Sequence, residues 1–339
     1  MATGSFADLR RSFPAAKITI LIPRSRAGIL AGGGYYDELI HDAGRSLGPL
    51  WRQAVGLRAR KFDLAIVYPN SFRTALVARL AGARERVGFR DFARRWLLTK
   101  ILDEPPPLKA PHPGPRRFPY PMTERFAALL RAVGAAPGDG RPVLAVTPEC
   151  EDLAGTRRME MGIAPGERLI GINPGANFGA SKLWPLDRFA RLADGLTEKT
   201  GRRTILFLGP GEEPIGEKLA SLMRTKPVST GRFPLDLDVL KPFVRDLDLL
   251  VTTDTGTRHY AVAFRVPVAV VMGSTHPGFT NCNLDETDVI RYDVPCGPCH
   301  LKSCPLDHRC MTLIEPEEVL ERSMRLMERV RARGNLTRG

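Results

Sequence analysis

Short apolar runs alternate along this chain with longer stretches in which apolar residues recur every three or four positions. The first kind of segment reads as strand and the second as amphipathic helix. In the first half, residues 17–23 form a β-branched run closed by Pro23, and residues 63–68 and 86–89 are further strand candidates. Helices are expected over 47–57, from the 69–73 loop through Leu80, and over 122–133, and residues 142–146 are expected to close the first domain. The second half repeats the rhythm, with strands at 169–172, 204–208, 248–253 and 268–272. Between them, Leu186, Phe189, Leu192, Ala193 and Leu196 share one helical face. Another helix is expected to follow Pro214, and a third to run from Asp236 through Val244. A final helix starts at Pro316, with Val319, Leu320, Met324, Met327 and Val330 on its apolar side. Alternating strand and helix imply an α/β protein with parallel sheets.

A length of 339 residues suits two domains, each large enough to bury a core. No apolar run approaches the roughly 20 residues that cross a bilayer. Residues 1–17 carry Arg10, Arg11 and Lys17 without an apolar stretch of secretory type, and Phe6, Leu9 and Phe13 instead suggest a core-facing helix. The net charge of +13 is unevenly spread: residues 1–150 hold 24 basic and 12 acidic side chains, and the remainder 26 and 25. That asymmetry points the first half toward an anionic partner, whether nucleic acid, phospholipid surface or acidic acceptor. No nucleic-acid motif or interleaved aromatic pattern accompanies it. The Pro-rich stretch 103–115 reads as a loop.

Two loops carry candidate chemistry. The strand at 248–253 runs into Asp254-Thr255-Gly256-Thr257-Arg258-His259, a tight turn opening a helix over 258–265. Such a turn offers backbone N–H groups and the positive end of a helix dipole to an anion. Thr255 and Thr257 add hydroxyls, and His259 lies one turn into the helix. An ordinary N-capped helix accounts for the same residues. Upstream, the strand at 169–172 enters a small-residue loop, 173–181, that ends in Lys182 before Trp184-Pro185 starts a helix. Small residues let backbone approach a ligand, and the lysine supplies a point charge for phosphate. Two such loops in one half suggest a diphosphate held between them. The pairs Asp236/Asp238 and Asp246/Asp248 imitate a metal-binding Asp-x-Asp, but helix capping and strand entry explain them. Cys296, Cys299, Cys304 and Cys310 lie close in sequence with His300 and His308 among them. Their spacing allows a tetrahedral structural zinc site, with reduced buried or paired cysteines as the alternative.

The combination of Pro174-Gly175-Ala176, Lys182-x-Trp184-Pro185 and Asp254-Thr255-Gly256-x-x-His259 resembles glycosyltransferase family 9, the ADP-heptose:lipopolysaccharide heptosyltransferases. The cysteine run 296–311 and Tyr68-Pro69-Asn70-Ser71-Phe72-Arg73 resemble its heptosyltransferase II branch. The resemblance implies a GT-B fold: two Rossmann-like domains facing a cleft, with 1–150 binding acceptor and 151–315 binding nucleotide-sugar. Residues 316–339 would form a helix crossing back to the first domain. It implies inverting transfer of heptose from ADP-heptose to the lipid A-core acceptor at the cytoplasmic face of the inner membrane. It implies that no cofactor or catalytic metal is required, and no nucleic-acid partner is expected. Donor contacts are expected from Asn177, Lys182, Asp254, Thr255, Gly256, Thr257 and His259, and ribose contacts from Glu212 or Glu213. Asn70, Ser71 and Arg73 are the acceptor-side candidates. His276 stands where the family usually has Asp. Other readings are a family 9 transferase with a different nucleotide-sugar, or a non-catalytic protein binding a nucleotide-sugar or an anionic surface. The chain departs from the family at its start, where members have a central strand ending in Gly-Asp, the Asp being the proposed general base. No residue here matches it, and Asp8 lies along a helix rather than in its place. Strand and base are expected before Met1, and a sheet without that strand should carry unpaired edges.

Overall fold

The computed structural model describes residues 1–336 apart from 45, 92, 105–119, 177 and 281. The chain divides into two compact units, the first comprising Met1–Leu108 with Tyr120–Val143 and the second comprising most of the rest from Leu144 onward. The boundary expected at 150/151 therefore falls at 143/144. The 142–146 run, expected to close the first domain, is irregular backbone without a ladder partner. Pro142 has no N–H to give a ladder, and the Val143 N–H donates instead to Thr3 Oγ1 at 3.1 Å. The expected Pro-rich loop falls largely outside the described residues.

The first unit comprises α1 (Thr3–Ser12), β1 (Thr19–Ile22), β2 (Glu38–His41), α2 (Leu47–Gly56), β3 (Leu64–Val67), α3 (Phe72–Leu80), β4 (Glu85–Phe89), β5 (Lys100–Leu102) and α4 (Met122–Ala132). All its ladders are parallel, yet they form two sheets, β1-β2 and β3-β4-β5. Among the described residues, β1 and β3 each keep one edge without a ladder partner. α1 reverses the apolar expectation for its face. Thr3, Gly4, Ser5 and Asp8 are its buried residues, whereas Phe6 and Leu9 are half-buried. The reason is polar. Asp8 accepts the Gly138 N–H at 2.7 Å and a bond from Arg11, and Ser5 donates to the Tyr68 hydroxyl at 3.0 Å. Gly4 packs so close to the Arg141 carbonyl that a Cβ would lie 2.2 Å from its oxygen.

The second unit comprises α5 (Pro148–Glu160), β6 (Leu169–Asn173), α6 (Leu186–Thr200), β7 (Thr204–Leu206), α7 (Glu213–Leu222), β8 (Val228–Ser229), α8 (Leu240–Arg245), β9 (Leu247–Thr253), α9 (Thr257–Ala263), β10 (Val268–Val271), β11 (Thr287–Ile290), α10 (Arg309–Thr312) and α11 (Pro316–Leu336). Its six strands form one parallel sheet in the order β11-β10-β9-β6-β7-β8. Strand order runs one way from β6 through β7 and β8, and the other way from β9 outward. The switch point lies between β6 and β9, the position where open α/β sheets bind ligands beyond their carboxyl ends. Ile170, Ile172, Leu249, Val251, Ala269 and Val271 form one buried face, covered by Phe189, Leu192 and Leu196 of α6 and Val319, Leu326 and Met327 of α11. Burial on both faces explains the continuous apolar runs 169–172 in β6 and 249–251 in β9. The last helix, expected to cross to the first domain, is grouped with the second unit, where it packs on α6, β9, β10 and β11. Its apolar stripe is consumed by that sheet.

Gly171 sits at the centre of this sheet, where an added Cβ would meet Leu247 Cδ1 at 2.6 Å, Phe207 at 2.9 Å and Leu250 at 3.1 Å. Gly171→Ala should therefore destabilise the protein by about 1–3 kcal/mol through overpacking. Urea unfolding checks this; an unchanged midpoint would mean that the core yields more easily than its packing indicates.

Candidate active site

Because β6 and β9 are neighbours, the two loops singled out by sequence emerge side by side. They are stitched directly: Thr253 Oγ1 donates to the Gly175 carbonyl at 2.9 Å, and Asn173 Nδ2 donates to Thr257 Oγ1 at 2.9 Å. Lys182 reaches across from the first loop to the second. Its Nζ donates to Asp254 Oδ2 at 2.8 Å and to the Asp254 carbonyl at 2.9 Å. The ammonium also lies 5.1 Å from the centroid of the Phe178 ring.

Asp254 is the hub of this group. Besides Lys182, it takes a bond from Thr275 Oγ1 at 2.9 Å and an ion pair from Arg258 at 3.3 Å. Arg258 is fully buried, braced by Thr280 at 3.0 Å. Burial alone would raise the Asp254 carboxyl, but Lys182, Arg258 and Thr275 outweigh it and hold the group below the usual carboxylate range. Desolvation and neighbouring positive charge, including Arg258, push His259 well below an ordinary histidine, so its imidazole is neutral at pH 7. Thr255 Oγ1 lies 2.9 Å from Thr252 Oγ1, and Gly256 is exposed at the cap of α9. With seven residues, α9 is shorter than the 258–265 helix expected.

The structure separates the two glutamates. Glu212 turns toward the first loop: Oε2 accepts the Gly209 N–H at 2.7 Å, and a Cβ on Gly175 would lie 2.1 Å from Oε1. Glu213 starts α7 and faces Gly231 instead. Asn177 lies outside the described residues. His276 follows β10, and its Nδ1 accepts the Gly278 N–H at 2.9 Å. In the first unit, Asn70 donates to Glu104 at 3.0 Å, Ser71 caps α3 through the Thr74 N–H at 3.2 Å, and Arg73 pairs with Asp42. Those three follow the carboxyl end of β3, but each is held by its own unit's side chains or backbone.

The discounted aspartates are engaged elsewhere. Asp236 Oδ1 accepts the N–H groups of Asp238 and Val239, while Asp246 and Asp248 pair with Arg158 and Arg168. The four clustered cysteines are reduced and line one cavity. Burial, followed by the three neighbouring cysteines, pushes the Cys310 thiol up to about 11. Sequence reasoning gave no role to Thr275, Asn173 or Arg258. Arg258, four residues after Asp254 at the helix start, was the one with a readable signal.

Residues 50–309 match the family description "Glycosyltransferase family 9 (heptosyltransferase)". The chain belongs to glycosyltransferase family 9. Within this family it is 27% identical to lipopolysaccharide heptosyltransferase 2 of Escherichia coli K12 over 307 residues, covering 86% of this chain and 84% of that one. It shares the fold of the solved E. coli ADP-heptose lipopolysaccharide heptosyltransferase II, with a TM-score of 0.75 at 24% identity over 96% and 94% of the two chains. An E. coli heptosyltransferase solved with ADP has the same fold at a TM-score of 0.63 and 17% identity, over 97% and 94%. This family 9 chain is thus a glycosyltransferase, and no helix among its described residues is long and apolar enough to cross a membrane.

The hub makes a pH-dependent prediction. A carboxyl lowered on folding contributes stability that is fully present above its unfolded pKa of about 4 and is lost as pH falls through the lowered folded value. Asp254→Asn should thus be clearly less stable than wild type at pH 7, by up to about 3–5 kcal/mol if the pair behaves as fully buried. The gap should narrow as pH drops below about 4. Melting curves of both proteins across pH check this; a gap independent of pH would remove the charge from the explanation.

Proposed function

We propose that this chain is an inverting heptosyltransferase that takes heptose from ADP-heptose and passes it to the lipid A-core of lipopolysaccharide. One observation carries the reading: Lys182, Thr255 and Thr257 stand together on adjacent βα loops at the sheet's switch point, with Asp254 as a stand-in anion on Lys182. A donor diphosphate arriving there competes with Asp254 for the ammonium and finds hydroxyls and first-turn amides beside it. Glu212, rather than Glu213, is placed to accept hydroxyl bonds from a ribose lying along the first loop. Both glutamates follow the neighbouring strand β7.

Transfer with inversion requires the acceptor oxygen to attack the anomeric carbon as the bond to the diphosphate oxygen breaks. ADP then leaves with the bonding electron pair, and the acceptor proton passes to a base. Lys182 neutralises charge growing on the departing diphosphate, a contribution concentrated in the transition state. His259 is neutral and serves as a hydrogen-bonding group rather than a second cation. Asp8 is not the base, because its carboxylate is committed to Gly138 and Arg11 inside the first unit. None of the described carboxylates is assigned that role.

The acceptor side follows from charge. The first half holds nearly all the basic excess, and the same unit exposes Leu47 and Trp51 one helical turn apart on α2, together with Trp96. Cationic surface with protruding apolar side chains suits an acidic acceptor embedded in the cytoplasmic face of the inner membrane.

Lys182→Ala should lower kcat/KM for ADP-heptose by roughly 10²- to 10³-fold and weaken ADP binding in calorimetry. Transfer assays with other nucleotide-sugars run alongside; a preference for one of them would replace the donor assignment. Leu47→Ser with Trp51→Ser should reduce co-sedimentation with anionic vesicles while leaving ADP affinity intact. Equal sedimentation of wild type and variant would remove α2 from the membrane reading.

A further inference from the structure

The cysteine-rich segment does something that the transfer chemistry leaves unexplained. Between β11 and α10, residues 291–308 contain neither helix nor strand. Loops beyond about 12–15 residues without secondary structure are uncommon in compact domains unless something organises them. Here Cys296, Cys299, Cys304 and Cys310 all face one cavity of about 300 Å³, counting its open mouth, shared with Ser181 and His308. The competing ligand types nearby are occupied. Asp307 is paired with Arg309, and His308 Nε2 is bonded to the Ser181 carbonyl at 2.8 Å. What remains is a four-sulfur set, the donor chemistry of zinc or iron(II) rather than of magnesium or calcium. The Leu306 N–H donates to Cys304 Sγ at 3.4 Å.

The same segment grips the loop bearing Lys182. The Ser181 N–H donates to the Lys302 carbonyl at 3.0 Å, its hydroxyl donates to the Leu301 carbonyl, and its own carbonyl meets His308. The His300 N–H and the Ser181 hydroxyl also converge on Ser274, at 2.9 and 3.2 Å. Ser181 is thus held at every polar group by the cysteine loop and its neighbour, one residue before the lysine.

We propose that Cys296, Cys299, Cys304 and Cys310 bind one structural zinc or iron(II) ion, which closes the 291–308 loop and through Ser181 fixes the backbone of Lys182. In the present rotamers no three potential ligands among the described residues stand in coordination geometry. Binding therefore requires the four sulfurs to move closer together than they stand here. The four cysteines are the ligands, and Lys182 is positioned by the site rather than part of it. The effect on donor binding rests on the function proposed above, whereas the metal site does not.

The test begins with elemental analysis of the full chain, purified under reducing conditions without added metal or chelator. About one equivalent of zinc or iron per chain is expected, lost in Cys299→Ser/Cys304→Ser and kept in Cys282→Ser, whose cysteine lies outside the cavity. Cobalt exchanged into the protein should show thiolate-to-metal charge-transfer absorption. Metal-free wild type that also takes up no zinc on anaerobic reconstitution overturns the site, as does a disulfide within the four that persists in reductant. Calorimetry with ADP then compares loaded and chelator-stripped protein. Stripping should weaken binding roughly 5- to 150-fold in wild type, the range of ordinary site-to-site coupling, and have little further effect in Lys182→Ala. Equal affinity with and without metal overturns the link to Lys182 while leaving the metal site standing. If the loaded protein binds no ADP at all, the donor assignment fails and the metal result is untouched.

Discussion

The parallel pairing of β6 with β9 is the constraint on which the active site depends. Both strands are buried on both faces, so their register is set by packing along their whole length. Their carboxyl ends then deliver two loops to one place, although Lys182 and Asp254 lie far apart in sequence. The hydroxyl and amide bonds from Thr253 and Asn173 lock those loops together at hydrogen-bond precision. Without that pairing, a lysine in one loop and a threonine-rich turn in another would be unrelated surface features.

A carboxylate at the centre of a proposed phosphate site looks contradictory until its partners are counted. Asp254 holds Lys182 and Arg258 at once, and Arg258 is buried without another acid bonded to it among the described contacts. Two desolvated cations left alone would repel each other and shed stability. Asp254 keeps them in place before an anion arrives, and the Thr275 hydroxyl fixes its direction. On the proposed function, this arrangement holds charge oriented where a departing diphosphate develops it.

The first unit shows a different balance. Its sheet is in two pieces, and its first helix buries Thr3, Gly4, Ser5 and Asp8 most deeply, while Phe6 packs half-buried against the rings of Tyr68 and Tyr35. Helical spacing of Phe6, Leu9 and Phe13 located the helix correctly and its buried side incorrectly. A buried carboxylate outweighed the apolar stripe, because Asp8 without the Gly138 N–H and Arg11 would be a desolvated charge lacking partners.

What the sequence determined by itself was local and periodic. Apolar runs located β6, β9 and β10, helical spacing located α4, α6 and α11, and loop composition marked Lys182 and the turn at Asp254. Those features follow from residue type and spacing along the chain, and the family motifs lie in the same stretches. Tertiary structure alone decided which groups meet. Nothing local says that Lys182 bonds to Asp254, that Thr275 and Arg258 join them, or that Glu212 rather than Glu213 turns toward Gly175. Nor does sequence say that a cysteine loop holds Ser181. Strand order brings these residues together, and it is fixed by burying both faces of one sheet, a property of the whole unit that no single segment contains.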